Sequence, residues 1–212
     1  MNSTPHPTPV GASSQLRTVG ILIFDDVEVL DFCGPFEVFS VARQPGATGD
    51  DGRLFHALTI AERPDIVSCR GGLLVQPHHT FADHPPLDLL IVPGGYGTRR
   101  ERENPRLLGW IAEQEPRTEI TASVCTGSFL LAATGLLSGH RATTHWGGIE
   151  WQRANHPDVE TIDDQRFVDE GHIVTSAGVS AGIDMALHLV ARLHGPEIAA
   201  TTARQMEYEQ RT

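Results

Sequence analysis

The sequence has few basic residues for a chain of 212 residues. Sixteen Lys plus Arg stand against 27 Asp plus Glu, which gives a formal charge of -11 with His neutral. This charge repels the phosphates of nucleic acids and the surfaces of anionic membranes. No local run of Lys and Arg compensates for it. We therefore expect no nucleic-acid partner and no membrane association.

Cysteine and long apolar runs are also scarce. The cysteines (Cys33, Cys69 and Cys125) are widely spaced and form no CxxC motif, which disfavours a disulfide framework and a zinc ribbon. No apolar run approaches the roughly 20 residues of a membrane-spanning helix, and the Pro/Ser/Thr-rich N-terminus lacks the apolar core of a signal peptide. We expect a cytoplasmic protein with a disordered N-terminal tail at residues 1–17 and a single domain at residues 18–212.

Short apolar runs alternate with amphipathic stretches after the tail, which is typical of a layered α/β domain around a largely parallel sheet. The expected strands are TVGILIF, FHALTIA, LDLLIVPGG, EITASV and GHIVTSAGV. Helical spacing is found in GPFEVFSVAR, NPRLLGWIAEQ, GSFLLAATGLL, SAGIDMALHLVARLHG and PEIAATTARQMEYEQ. The first of these helices is expected to begin at Pro35. The segment DIVSCRGGLLVQPHHT predicts a hairpin with a Gly-Gly turn, and its His78 and His79 are interpreted as surface residues.

Cys125 stands where the strand-like EITASV meets the helix-like GSFLLAATGLL. Ligands of open parallel sheets bind at the carboxyl ends of the strands, where helix N-termini point. A helix N-terminus favours a thiolate, so this position predicts a lowered thiol pKa and a nucleophile. Thr126 and Gly127 permit a tight turn with a free Thr126 N–H for an anion, and PGGYG could supply a second donor. The alternative is that Cys125 is an inert buried residue.

The segments VCTGSFLLAATGLLSGHRATTHW, DLLIVPGGYG, VLDFCGPFEVF and GVSAGIDMALHL together resemble the DJ-1/PfpI superfamily, and most closely its isocyanide hydratase branch. Similar motifs occur in the ligand-binding domains of certain AraC-type transcription regulators. The resemblance extends from about Val19 to Arg211. It implies a flavodoxin-like three-layer sandwich of the class I glutamine amidotransferase type, a cysteine in a strained conformation, and a homodimer.

The resemblance also implies roles for individual residues. The nucleophile falls on Cys125, the backbone N–H that helps to bind the anion falls on Thr126, and the acid/base falls on Asp31. Gly95 matches a glycine that offers another N–H, and Val179 matches a branched aliphatic residue that packs beside the cysteine. Peptidase members of the superfamily carry His directly after the nucleophile, so Thr126 disfavours peptidase chemistry.

Asp31 has an alternative interpretation as a cap of the helix expected at Pro35. Three further acidic residues lie close to it in the sequence, namely Asp25, Asp26 and Glu28.

His145 could approach Cys125 as an orienting base, or it could pack or hydrogen-bond in a second layer around the site. Trp146 and Trp151 are expected to pack or to line a pocket. Cys33 and Cys69 are interpreted as structural, although Cys33 follows Asp31 closely enough in the sequence to border the site.

These observations predict an enzyme that hydrates small-molecule isocyanides to N-formamides through a Cys125 thioimidate, with Asp31 as acid/base. No metal or organic cofactor is expected, because HExxH, Walker A and dinucleotide motifs are missing. One alternative is a non-catalytic ligand or redox sensor related to the regulator domains. Another is a different small-molecule lyase or hydrolase reaction on the same scaffold. The short stretch after the last helix leaves no room for a DNA-binding helix pair, which disfavours a regulator unless the sequence is part of a longer protein.

Overall fold

The structure is a computed structural model that describes residues 16–47, 49 and 52–210. Its strands are β1 (Arg17–Leu22), β2 (Phe55–Ala61), β3 (Val67–Ser68), β4 (Leu74–Val75), β5 (His79–Thr80), β6 (Leu89–Val92), β7 (Ile120–Val124), β8 (Arg141–Ala142), β9 (Glu160–Thr161), β10 (Phe167–Asp169) and β11 (Ile173–Ser176). Its α-helices are α1 (Val29–Val41), α2 (Thr98–Glu101), α3 (Pro105–Gln114), α4 (Gly127–Ala133), α5 (Ile149–Asn155), α6 (Ala181–His194) and α7 (Pro196–Gln205).

A seven-stranded sheet with the order β10-β11-β7-β6-β1-β2-β5 forms the centre of the fold. Its strand pairs are parallel except for the antiparallel pair β10–β11. Helices α1, α6 and α7 pack together on one face, and α2 and α3 pack with α4 on the other. The predicted flavodoxin-like α/β sandwich with a largely parallel sheet is confirmed.

The inner strands are buried because helices cover both of their faces. Every residue of β6 and of β7 is buried. A parallel strand covered on both sides has no solvent-facing side, and β6 accordingly has the uniformly apolar sequence LLIV. Strand β7, ITASV, alternates apolar and polar residues, and its small polar residues Thr121 and Ser123 are fully buried.

The chain reverses its direction of winding at β1. From β1 it proceeds outward through β2 to β5 on one side, and then through β6, β7 and β11 on the other. The carboxyl ends of β1, β6 and β7 consequently meet at a topological switch point, which is where open α/β sheets bind ligands. The loop after β1 is attached to the turn after β6, because Val27 forms a β-bridge with Gly95 and the Glu28 N–H donates to the Gly94 carbonyl at 2.9 Å.

Two predicted boundaries were wrong. Strand β1 already includes Arg17, which had been assigned to the tail, and residues 1–15 lie outside the described residues. Helix α1 begins at Val29 and continues through Pro35. A proline inside a helix removes one backbone hydrogen bond and crowds the carbonyl four residues earlier, and burial of Phe32, Gly34 and Pro35 against the core offsets this cost.

Several short elements were missed by the sequence pattern. Helices α2 and α5 and strands β8, β9 and β10 have at most seven residues each, too few for a periodic signal. The predicted hairpin is present as the antiparallel pair β3–β4, with positive φ at Gly71 and Gly72. His78 is exposed as expected, whereas His79 belongs to the edge strand β5. Within the described part of the chain, no helix is long and apolar enough to cross a membrane.

Candidate active site

Cys125 occupies a sharp turn between β7 and α4 and has a positive φ of 58°. This left-handed conformation is unfavourable for a residue with a side chain. Hydrogen bonds hold it in place: the Cys125 N–H donates to the carbonyls of Ser176 and Ala177 at 3.1 and 3.2 Å. The Cys125 carbonyl accepts the hydroxyl of buried Thr144 at 3.0 Å. The strained cysteine predicted from the family resemblance is thus present.

The residue after the turn, Gly127, is fixed by its contact with the neighbouring strand. A Cβ atom there would lie 2.0 Å from the carbonyl oxygen of Val92 at the end of β6. A side chain would therefore force α4 away from the sheet. The glycine of the Cys-Thr-Gly sequence therefore allows α4 to start two residues after Cys125 while staying packed against β6. Cys125 itself is 6% exposed.

Asp31 lies on the first turn of α1 and is fully buried. Its Oδ2 accepts the N–H of Gly94 at 3.1 Å. Its Oδ1 is buried without a hydrogen-bond partner among the described residues. Its carboxyl group interacts with the Cys125 thiol. Because α1 starts at Val29, Asp31 is not the helix cap of the alternative interpretation.

The acidic neighbours of Asp31 point elsewhere. Asp25 and Asp26 are exposed, with Oδ1 of Asp25 accepting the N–H of Ser68 at 2.9 Å. Glu28 forms an ion pair with Arg70 at 2.9 Å. Of the four carboxyl groups in this segment, that of Asp31 alone is fully buried beside the thiol, because the first turn of α1 directs it toward the end of β7.

The thiol and the carboxyl form a buried pair with strongly shifted pKa values. Burial raises the pKa of Asp31 to about 7, although the Gly94 N–H opposes the shift. Burial, and then the charge of Asp31, raise the pKa of Cys125 to about 12. Between these values the pair holds one proton, which belongs to the pair rather than to one residue.

The expectation of a lowered thiol pKa was therefore wrong. Helix α4 has only seven residues, and the effect of its N-terminus is outweighed by burial and by the charge of Asp31. The backbone N–H groups of Thr126 and Val179 do face the sulfur and lower its pKa in part. They favour the arrangement in which sulfur is ionised and Asp31 carries the proton.

Val179 approaches Cys125 from the loop between β11 and α6. It has a positive φ of 53°, a strained conformation for a β-branched residue. Its backbone N–H interacts with both Asp31 and Cys125. The sequence predicted an aliphatic side chain beside the cysteine, and the backbone contact is an additional feature that the sequence could not indicate.

The Pro-Gly-Gly turn after β6 supplies two N–H groups that are already bonded. The Gly95 N–H donates to the hydroxyl of Thr126 at 3.1 Å, and the Gly94 N–H donates to Asp31. This differs from the expectation of a free Gly95 donor, because the Thr126 side chain folds back onto the turn. The importance of Gly94 was missed: a Cβ there would lie 2.5 Å from the Thr126 nitrogen.

His145 lies near the site without a hydrogen bond to Cys125. Its Nδ1 accepts the N–H of Gly147 at 3.1 Å, and its ring packs so closely on Gly178 that a Cβ there would lie 2.2 Å from Cδ2. Burial lowers its pKa. These contacts agree with the interpretation of His145 as a residue that packs and hydrogen-bonds in a second layer around the site.

The remaining candidates lie outside the reacting pair. Trp151 packs on Phe129 with ring centroids 4.3 Å apart. Trp146, which was also expected to pack or to line a pocket, is 83% exposed and contacts the His145 ring at a centroid distance of 5.3 Å. Cys69 is buried and Cys33 half-buried, as expected for structural residues. Within the described residues, no cluster of His, Cys, Asp and Glu could hold a metal ion.

This chain belongs to the DJ-1/PfpI family, which its residues 17–192 match. It is 34% identical over 205 residues to the isonitrile hydratase of Pseudomonas putida, an alignment that covers 90% of this chain and 78% of the hydratase. The transcriptional regulator GbdR of Pseudomonas aeruginosa (strain UCBPP-PA14) is 31% identical over 195 residues, which cover 91% of this chain and 51% of the regulator. The chain thus spans about half the length of that regulator.

Solved structures agree with this assignment. A THiJ/PfpI family protein from Pseudomonas syringae superposes with a TM-score of 0.81 at 28% identity, covering 98% of this chain and 84% of the other. DJ-1beta of Drosophila melanogaster has a TM-score of 0.77 at 20% identity, covering 92% and 100%. At 20% identity, the similarity to DJ-1beta concerns the fold alone.

Proposed function

We propose that this protein is a lyase that hydrates isocyanides to N-formamides, with Cys125 as the nucleophile and Asp31 as the acid/base. The observation that carries the proposal is the buried pair of thiol and carboxyl, in which one carboxyl oxygen has no hydrogen-bond partner among the residues that the structure describes. The similarity to an isonitrile hydratase supports the substrate class.

The first step forms a bond from sulfur to the terminal isocyanide carbon. Asp31 accepts the thiol proton and delivers it to the same carbon, which gives the thioimidate R–N=CH–S–Cys125. No proton enters from solvent, because the pair already holds the one that is required. The raised pKa of Asp31, about 7, suits a group that must both accept and release a proton near neutral pH.

The second step consumes one water molecule. Asp31, ionised again, removes a proton from water as the oxygen attacks the thioimidate carbon, and passes this proton to the nitrogen. Collapse of the resulting R–NH–CH(OH)–S–Cys125 breaks the carbon–sulfur bond and releases R–NH–CHO, while the hydroxyl proton goes to the pair of Cys125 and Asp31. The sum is one isocyanide plus one water to one N-formamide.

Backbone donors stabilise charge during both steps. The N–H groups of Thr126 and Val179 face the sulfur and support its ionised form. Gly95 acts through Thr126, whose hydroxyl accepts the Gly95 N–H. Its proposed role is therefore to position Thr126.

The proposal extends to assembly and location. We propose a homodimer that uses the hairpin, because Ile66, Leu73 and Leu74 expose 58%, 46% and 64% of their surfaces.

A cytoplasmic location suits the free thiols of Cys33, Cys69 and Cys125. We propose that the site binds a small molecule and that the protein binds neither nucleic acid nor a membrane.

The test is formamide formation from p-nitrophenyl isocyanide by the purified protein, beside the variants Cys125→Ala and Asp31→Asn. We expect turnover by the unmodified protein and loss of at least about a hundredfold in each variant. Cys33→Ala is the matched control, because Cys33 lies outside the reacting pair and should retain activity. Turnover that survives in Cys125→Ala would refute the mechanism.

A ligand sensor is the second candidate, and the regulators of similar sequence favour it. A sensor would bind a small molecule at the same site without consuming it. Saturable binding of an isocyanide to the unmodified protein, with no formamide over hours, would support this candidate over the hydratase.

A further inference from the structure

Two arginine side chains stack on the ring of Tyr96 beside the candidate active site. The Cζ atom of Arg70 lies 4.4 Å from the ring centroid, and that of Arg99 lies 4.9 Å from it. Tyr96 itself is 55% exposed. Stacking on an aromatic face holds a guanidinium in place and leaves its N–H edge free to bind a carboxylate with two hydrogen bonds.

This cluster borders the reacting pair through backbone contacts. Tyr96 directly follows Gly95, whose N–H donates to the Thr126 hydroxyl at 3.1 Å. Arg70 is held by Glu28 at 2.9 Å, and the Glu28 N–H donates to the carbonyl of Gly94.

The charged groups of the cluster act on residues of the site. Glu28 acts electrostatically on Asp31. Arg70 and Glu28 both act on His145, whose ring packs against Gly178. Together with the backbone contacts of Gly94 and Gly95, this places the cluster beside the reacting pair rather than on a remote surface.

The cluster is positive in a strongly acidic protein. The chain contains no lysine, so all 16 of its fixed side-chain cations are arginines. Glu28 neutralises Arg70, whereas Arg99 forms no ion pair with an acidic side chain of the described residues. The three side chains of Arg70, Arg99 and Glu28 therefore carry a net charge of +1 beside the site, in a chain with a formal charge of -11.

We propose that Arg70 and Arg99, held on Tyr96, bind an anionic group, most simply a carboxylate, of the small molecule that reacts at Cys125. The inference rests on the proposed role of Cys125 as nucleophile. It narrows the substrate class to isocyanides that carry a carboxylate away from the reacting carbon. An anion gains the N–H groups of Arg99 and those of Arg70 that Glu28 does not occupy, while a neutral analogue leaves them to water.

The decisive experiment compares two alkylating agents that differ in charge. Iodoacetate and iodoacetamide are reacted separately with the protein, and modification of Cys125 is followed by peptide mass spectrometry, which distinguishes it from Cys33 and Cys69. The quantity measured is the ratio of the iodoacetate rate to the iodoacetamide rate. A change in thiol ionisation affects both rates equally and cancels in this ratio.

Removal of either positive charge is expected to lower the ratio about threefold to tenfold, in Arg70→Gln and in Arg99→Gln. Arg204→Gln is the matched control, because Arg204 is an exposed arginine on α7, and its ratio should stay within about twofold of the unmodified protein. Ratios in Arg70→Gln and Arg99→Gln that equal the control value would overturn the proposal. Glu28→Gln should raise the ratio, since it leaves Arg70 uncompensated.

A catalytic comparison then separates this proposal from the proposed function. We expect kcat/KM to be higher for 4-isocyanobenzoate than for its methyl ester, and Arg70→Gln to remove most of that preference. If neither compound yields a formamide, the hydratase proposal fails, while the alkylation ratio still decides whether the arginines select anions.

Discussion

The carboxyl group of Asp31 and the backbone of Gly94 are joined by a 3.1 Å hydrogen bond between two different strand ends of the sheet. Asp31 comes from the helix after β1, and Gly94 from the turn after β6. The bond holds one carboxyl oxygen in place, while the other, Oδ1, is buried beside Cys125 with no hydrogen-bond partner in the part of the chain that the structure describes. The chemistry of the site depends on this asymmetry.

Protein stability should depend on the ionisation of Asp31. Its pKa is raised from 3.8 to about 7 on folding, so the protonated form stabilises the native state. This contribution is fully present below the unfolded pKa and is lost as the pH rises through the folded value. We expect the free energy of unfolding to fall between pH 4 and pH 8 by an amount on the order of 4 kcal/mol, from a shift of about three pKa units. Urea unfolding across this range measures it.

The Asp31→Asn variant is the control for that measurement, because an amide has no proton to lose. Its free energy of unfolding should decline less over the same pH range. Equal declines in the two proteins would show that Asp31 is not the titrating group.

Alkylation and hydration should respond to Asp31→Asn in opposite directions. The charge of Asp31 raises the pKa of Cys125, so its removal increases the thiolate fraction at pH 8. We expect Cys125 to react severalfold faster with iodoacetamide in the variant, while formamide production falls because the proton carrier is missing. A parallel loss of both would instead indicate that the thiol itself had become inaccessible or misplaced.

Gly94→Ala should damage both the site and the fold. The added Cβ would lie 2.5 Å from the Thr126 nitrogen and 3.0 Å from Oδ2 of Asp31. Backbone must move to accommodate it, with a loss of about 2 kcal/mol or more in the free energy of unfolding. Gly109→Ala is the matched control, because nothing lies within 4 Å of its Cβ on helix α3. That variant should be about 0.5–1 kcal/mol more stable, as thermal or urea unfolding would show.

Thr144→Val should weaken the support of the strained Cys125 turn. The Thr144 hydroxyl donates to the Cys125 carbonyl at 3.0 Å in a buried position. Valine has nearly the same shape but no donor, so we expect a loss of about 1–2 kcal/mol in stability and a lower kcat. Thr134→Val, where the hydroxyl bonds only to Leu131 within one helix, should cost less. A smaller effect at Thr144 than at Thr134 would contradict this view of the turn.

Most of the fold could be predicted from the sequence because its strands and longer helices carry strong local signals. Strand β2 was predicted with its observed bounds, Phe55–Ala61, and the strand–turn–helix around Cys125 was recognised from composition. The start of α1 could not be predicted. It depends on the contact of Glu28 with Gly94, two residues far apart in the chain.

The sequence alone determined Cys125 and its place at a strand end, because residue type and apolar periodicity are local properties, whereas Asp31 was assigned through the resemblance of VLDFCGPFEVF to a known family. Tertiary structure decided how they act. The thiol pKa rises rather than falls, since burial and the charge of Asp31 outweigh a seven-residue helix. The Val179 N–H at the sulfur, and the arginines on Tyr96, likewise arise only where separate loops meet. Desolvation and long-range charge depend on the packed environment, which no short stretch of sequence specifies.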